Sequence, residues 1–240
     1  MALYAIGDLH LCLGAPKPMD IFGGAWVGYM DKLREGLSVI TEDDTTILLG
    51  DLSWSLDLPN AKADFAWINE IPGKKIILKG NHDYWWTTRR QMDLFFEQNG
   101  YDTLRIVHND AVAVDDKYAV CGTRGWMCPD TLEDGTTRFS DPHDEKIFQR
   151  ELGRLKLSLD SVPEHVQHKI VMFHYPPVNG KLEKSALVEL MQQYGVDTCL
   201  YGHLHSYAMH NSLKGEHWGI DFHLVSADYL GFMPKLICEL

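Results

Sequence analysis

The chain has 240 residues, 45% hydrophobic and 23% charged, the balance of a soluble globular protein with enough chain for one core. Its 34 acidic and 22 basic residues leave a formal charge of −12, and the longest basic runs are pairs such as Lys74-Lys75 and Arg89-Arg90. A long polyanion needs a positive face, so nucleic acid is disfavoured as a partner.

No run approaches the roughly 18 apolar residues of a membrane span, so no membrane partner is expected. The N-terminus, MALYAIGDLH, shows no secretory pattern. The five cysteines (Cys12, Cys121, Cys128, Cys199, Cys238) are scattered and odd in number. That usage suits reduced thiols, and the expected compartment is the cytoplasm.

In chain order, Leu3–Ile6 reads as a buried strand that stops at Gly7-Asp8-Leu9-His10. Trp26, Met30, Leu33, Leu37 and Ile40 then recur at helical spacing. A second strand, Thr46–Leu49, stops at Gly50-Asp51. After a helix marked by Ala61, Phe65 and Ile68, a third strand, Ile76–Leu78, leads to Gly80-Asn81-His82-Asp83. Met92 and Phe95/Phe96 mark a helix that ends at Gly100.

Tyr118–Cys121 reads as a strand, followed by the long irregular segment Gly122–Ser140, a length that usually signals a functional or mobile loop. Asp141-Pro142 is a helix start, and Phe148, Leu152, Leu155 and Leu159 extend its buried stripe. Strand Ile170–Phe173 stops at His174, and Thr198–Tyr201 at Gly202-His203-Leu204-His205. From Tyr207 to Leu240 there are β-like runs at Phe222–Val225 and Lys235–Cys238 but no helix. His165 and His168 read as a solvated turn after Pro163. Without a repeat or linker, one domain spanning residues 1–240 is expected, with two packed sheets and helices outside.

Five polar clusters therefore follow five strand ends, where ligands bind in open α/β sheets. Imidazole and carboxylate together suit manganese, iron, zinc, cobalt or nickel. Seven candidate ligands, Asp8, His10, Asp51, Asn81, His174, His203 and His205, exceed the needs of one ion that must also bind water. Two ions sharing a carboxylate fit the count.

The order D-x-H, G-D, G-N-H-D, H, G-H-x-H resembles the calcineurin-like metallophosphoesterase superfamily, from Asp8 to His205. The resemblance implies an α/β fold, a four-layer α/β/β/α sandwich of two mixed β-sheets flanked by helices. It also implies two divalent transition-metal ions, manganese first. One ion would be held by Asp8, His10 and His205, the other by Asn81, His174 and His203, with Asp51 bridging. His82 matches the catalytic histidine and Asp83 the acid that orients it.

A hydroxide made available by the two metals would attack phosphorus while His82 protonates the leaving alkoxide. Trp54 stands where protein phosphatases, purple acid phosphatases and many cyclic-nucleotide phosphodiesterases carry Asp or Tyr, so no defined subfamily supplies the substrate. A small phosphorylated molecule, monoester or diester, is expected. A non-catalytic scaffold and a nuclease remain as alternatives. Arg124 is a candidate phosphate clamp or a solvated loop residue. Trp54, Trp85, Trp86 and Trp126 either wall the cleft or pack in the interior, and Cys12 is expected to be a small buried residue.

Overall fold

In the computed structural model, which describes residues 1–240, the apolar runs become strands of two sheets, each in its own compact unit. The first unit is Met1–Ile106 with Val225–Leu240, the second Val107–Leu224. In chain order the first contains β1 (Ala2–Ile6), α1 (Tyr29–Leu37), β2 (Thr45–Leu48), α2 (Leu58–Glu70), β3 (Lys74–Ile77), α3 (Arg89–Asn99) and β4 (Leu104–Ile106).

The second contains β5 (Ala111–Ala113), β6 (Tyr118–Thr123), β7 (Asp130–Thr131), β8 (Thr137–Arg138), α4 (Pro142–Asp160), β9 (His168–Phe173), α5 (Ala186–Gln193), β10 (Thr198–Tyr201), β11 (Gly215–His217) and β12 (Ile220–Leu224). The last strand, β13 (Lys235–Glu239), returns to the first sheet.

The first sheet runs β13-β1-β2-β3-β4, with β1 to β4 parallel and β13 antiparallel at one edge. The second runs β11-β12-β10-β9-β6-β5, with β12, β10, β9 and β6 parallel between antiparallel edge strands. Both sheets are mixed, as expected. Every residue of β2 is buried, which is why it reads as an unbroken apolar run. Register aligns the strand ends: Ile6 pairs with Leu48 and Leu48 with Ile77, while Thr123 pairs with Phe173.

The helix signals hold at atomic level. Asp141 accepts the amide of His143 at 2.7 Å with Pro142 at the first helical position, and Gly100 ends α3 with φ 68°. Ile6, Leu33, Leu48, Phe65, Ile77 and Met92 share one core. Phe148, Leu155, Val171, Phe173, Met191 and Tyr201 share the other.

Some expectations change. The Gly122–Ser140 segment is not wholly irregular: it holds the end of β6 and a small hairpin in which Thr131 pairs with Thr137. α5 was not foreseen, although Ser185 caps it through the amides of Leu187 and Val188. His168 belongs to β9, where its ring stacks on Tyr118 at 4.8 Å, rather than to a turn. Ser206–Asn211 forms a short 3-10 turn within the stretch expected to lack helix. No helix is long and apolar enough to cross a membrane.

Candidate metal centre

Because β1, β2 and β3 are parallel and in register, the loops leaving them start from one edge of the first sheet. Asp8, His10 and Asp51 are buried there. Asp8 offers a ligand atom within 4.8 Å of ligand atoms on His10 and on Asp51, and His10 Nε2 lies 3.9 Å from Asp51 Oδ2.

All three have left-handed backbone, with φ of 58°, 47° and 50°. Non-glycine residues rarely adopt that region, and strain of this kind costs about 1–3 kcal/mol per residue, so surrounding bonds must hold it. They do so as a zipper: Asp8 N donates to Gly50 O, His10 N to Asp51 O and Leu11 N to Leu52 O, each at 2.9 Å. Gly80 is required by close approach, since a Cβ there would sit 2.0 Å from Asp51 Oδ1.

Asp83 fastens these loops from below. Its buried carboxylate accepts the amides of Gly80 at 2.7 Å, Asp51 and Leu52 at 2.8 Å and Ser53 at 3.3 Å, with the Trp85 indole N–H at 2.9 Å. The Asp51 carboxylate in turn accepts the amide of His82 at 2.7 Å. Asn81 and His82 are half-buried on this same turn, and the phenol of Tyr84 lies 3.4 Å from His82 Nδ1.

A second buried acid, Asp64 on α2, ties the loop after His10 to the loop after Asp51. It accepts Leu13 N at 2.8 Å, Ser53 Oγ at 2.5 Å and Ser55 Oγ at 3.2 Å, and burial pushes its pKa up against these hydrogen bonds. Asp64 was missed from sequence, although it falls on the buried face of α2 with Ala61, Phe65 and Ile68. A carboxylate on an apolar stripe was the available signal.

The tryptophans separate into two roles. Trp85 is core, edge-on to Phe65 at 4.8 Å, and Trp86 packs against it at 5.3 Å. Trp54 instead stacks on His10 at 4.9 Å and meets His82 at 4.5 Å, while its indole N–H donates to Met19 Sδ at 3.0 Å. Cys12 is half-buried, with its sulfur 3.4 Å from the Tyr29 hydroxyl.

In the second unit the loops after β6, β9 and β10 carry Arg124, His174 and His203 with His205. His174 N and Tyr175 N both donate to Arg124 O, at 3.0 and 2.9 Å, and Gly202 N donates to His174 O at 3.2 Å. His174 is fully buried, and its ring centre lies 5.1 Å from that of His203. His203 also has left-handed backbone, φ 69°, and packs on Tyr175 at 4.2 Å. His205 is half-buried and opens the 3-10 turn.

Arg124 is half-buried, its guanidinium 4.7 Å from the Trp126 ring and its Nε buried without a hydrogen bond. Burial lowers its pKa, opposed by the charges of Glu151 and Tyr175. The residue before it, Thr123, donates to the fully buried Glu151. Tyr175 was not singled out from sequence, though it directly follows a candidate ligand.

Carboxylates, an amide and imidazoles, with no thiolate among them, make a donor set suited to borderline divalent ions. The strained ligand loops and the glycine cradle around Asp51 fit an ion there. A sequence model of the calcineurin-like phosphoesterases matches residues 1–207. The chain belongs to that family. The family is dinuclear-metal dependent and includes non-catalytic members beside its phosphoesterases, and the matched span includes every candidate ligand.

Among solved structures, the calcineurin-like chain is similar to the phosphopantetheinyl hydrolase PptH of Mycobacterium tuberculosis, with 14% identity and a TM-score of 0.61 over 100% of this chain and 96% of that one. It is also similar to the protein TT1561 of Thermus thermophilus, with 13% identity and a TM-score of 0.53 over 98% and 96%. At such identities the likeness establishes the fold alone. No curated protein matches the chain.

Proposed function

We propose that this family member is a dinuclear-metal phosphohydrolase acting on a small phosphomonoester or phosphodiester. Asp8, His10, Asp51, Asn81, His174, His203 and His205 would hold the ions, with Asp51 as the carboxylate both would share. Manganese is the ion of first choice. The observation that carries this reading is the trio Asp8, His10 and Asp51, held with ligand atoms close together in strained backbone. Such strain persists where function needs the geometry. The formal charge of −12 favours a small substrate over a nucleic acid, and five free thiols fit a reducing cytoplasm.

When bound, the two ions supply Lewis-acid activation of water and neutralise charge on the phosphoryl oxygens. The chain's own residues do the rest. His82 protonates the leaving oxygen as general acid. Asp83 orients His82 through the backbone, since it fastens Gly80 and Asp51, and Asp51 receives the His82 amide. Trp54 fixes the plane of the His10 ring by stacking on it. Arg124 clamps a phosphoryl or other anionic oxygen of the substrate, because its buried Nε–H, without a hydrogen bond, gains most from an anionic acceptor.

The test is reconstitution of metal-stripped protein with manganese, iron, cobalt, nickel or zinc, followed by assay on p-nitrophenyl and bis-p-nitrophenyl phosphate. Two ions per chain and hydrolysis of at least one ester are expected. Stoichiometric metal uptake with no turnover of either ester by any metal form would instead favour a non-catalytic scaffold of the same fold.

A further inference from the structure

The segment between β1 and α1 places a cation over the ring that meets the proposed proton donor. Lys17 Nζ lies 3.1 Å from the centre of the Trp54 ring and 5.7 Å from that of Phe22. Trp54 in turn stacks on His10 and contacts His82. The ammonium is thus within one indole of both imidazoles.

Lys17 is half-buried, and its contacts are these two rings, with no carboxylate among them. That is unexpected in a chain with 34 acidic residues against 22 basic ones, where a nearby carboxylate is the ordinary partner of a lysine. Rings attract an ammonium but leave its three N–H donors without acceptors. Phe22, parallel to Trp54 within 9° at 6.5 Å, is 46% exposed, and Tyr84 beside His82 is 57% exposed. An apolar, aromatic surface with one available ammonium therefore borders His82.

We propose that Lys17, Trp54 and Phe22 form a leaving-group subsite that selects phosphoesters whose leaving group is planar or apolar and carries a second anionic group. This rests on the reading of His82 as proton donor, because the leaving oxygen must face His82 and its substituent then lies along Trp54. The rings cover the apolar body, and the Lys17 ammonium exchanges a π face for a carboxylate or phosphate oxygen. Lys17 is a specificity-determining residue and takes no part in the proton transfer.

The experiment reads binding and turnover separately on the manganese-loaded protein. Calorimetry compares the non-hydrolysable phenylphosphonate and 4-carboxyphenylphosphonate on wild type, Lys17→Met and Lys17→Arg. The proposal expects the carboxylated ligand to bind about tenfold more weakly to Lys17→Met, the loss of one charge-assisted hydrogen bond. Phenylphosphonate should change less than twofold, and Lys17→Arg should recover most of the difference. Equal effects on both ligands, or no binding of either to wild type, overturn the subsite.

Turnover of phenyl phosphate and 4-carboxyphenyl phosphate tests the enzymatic reading independently. Inactivity on both with the binding difference intact would remove the phosphomonoesterase reading and leave the anion subsite standing.

Discussion

Asp83 accepts the backbone amide of Asp51 at 2.8 Å, and Asp51 commits one carboxylate oxygen to the amide of His82 at 2.7 Å. The acid of the GNHD turn and the proposed bridging ligand are therefore joined through main chain, and His82 is placed by the same bonds. One buried carboxylate holds five donors from two loops. This explains how Asp51 can keep a left-handed φ of 50° without a glycine.

Asp83→Asn tests that relationship with almost no change of volume. The amide turns an N–H₂ toward backbone N–H groups, so at least two buried donors lose their acceptor. Each such loss costs about 1–3 kcal/mol, and a total destabilisation of about 2–6 kcal/mol is expected in urea unfolding of the metal-free protein. Metal retention should fall as well, because the Asp51 loop relaxes. Unchanged stability and metal content would show that the five hydrogen bonds carry little of the loop's geometry.

Asp51→Asn and His82→Ala should separate metal binding from proton transfer. The first removes the charge of the proposed bridging ligand, with loss of activity and metal content below that of wild type. The second should keep both ions and lower turnover by about 10²–10⁴, the usual contribution of a positioned general acid. Normal turnover by a fully metallated His82→Ala protein would remove the histidine from the mechanism.

Arg124→Ala should weaken substrate binding more than it slows turnover, raising KM by roughly tenfold for the loss of a charge-assisted clamp. Arg124→Lys should not restore it, since a single ammonium cannot reproduce the planar fork. The Thr123–Glu151 contact lies next to this loop, so the folded state of both variants is checked by near-ultraviolet circular dichroism. A KM unaltered in both would return Arg124 to a packing role over Trp126.

What was legible in the sequence follows from what writes a local signal. Parallel strands buried on both faces leave unbroken apolar runs, so β1, β2, β3, β9 and β10 and the clusters after them could be read directly. The short strands β5 and β11 are edge strands, half-exposed or exposed, and leave no such run. α5 is short, and its capping serine follows Glu183 and Lys184, so it leaves a weak local signal. The Leu13–Asp64 and Lys17–Trp54 contacts join residues 51 and 37 positions apart. Only the folded loops bring such pairs together. The order of the candidate ligands was visible, but the hydrogen bonds that hold them in left-handed backbone were not.

Lys75 offers a test of burial independent of the metal centre. It is fully buried in β3, with its ammonium donating to Ile71 O, to Gly73 O at 2.8 Å and to Asn69 O at 3.5 Å, around the C-terminal end of α2. Loss of hydration nevertheless dominates and brings its pKa down from 10.5 to about 8. Below pH 8 both folded and unfolded chains carry the proton, and the native state bears the whole cost of the buried charge. Between about pH 8 and 10.5 the unfolded chain still holds a proton that the native chain has released, so this residue's contribution to stability rises with pH. Above that window both forms are neutral and the cost is gone. Lys75→Met carries no such charge. The stability of wild type relative to Lys75→Met should therefore increase by about 2–3 kcal/mol from pH 7.5 to 10, measured by urea unfolding in matched buffers. A difference that stays constant across that range would mean the three carbonyls solvate the ammonium as well as water does.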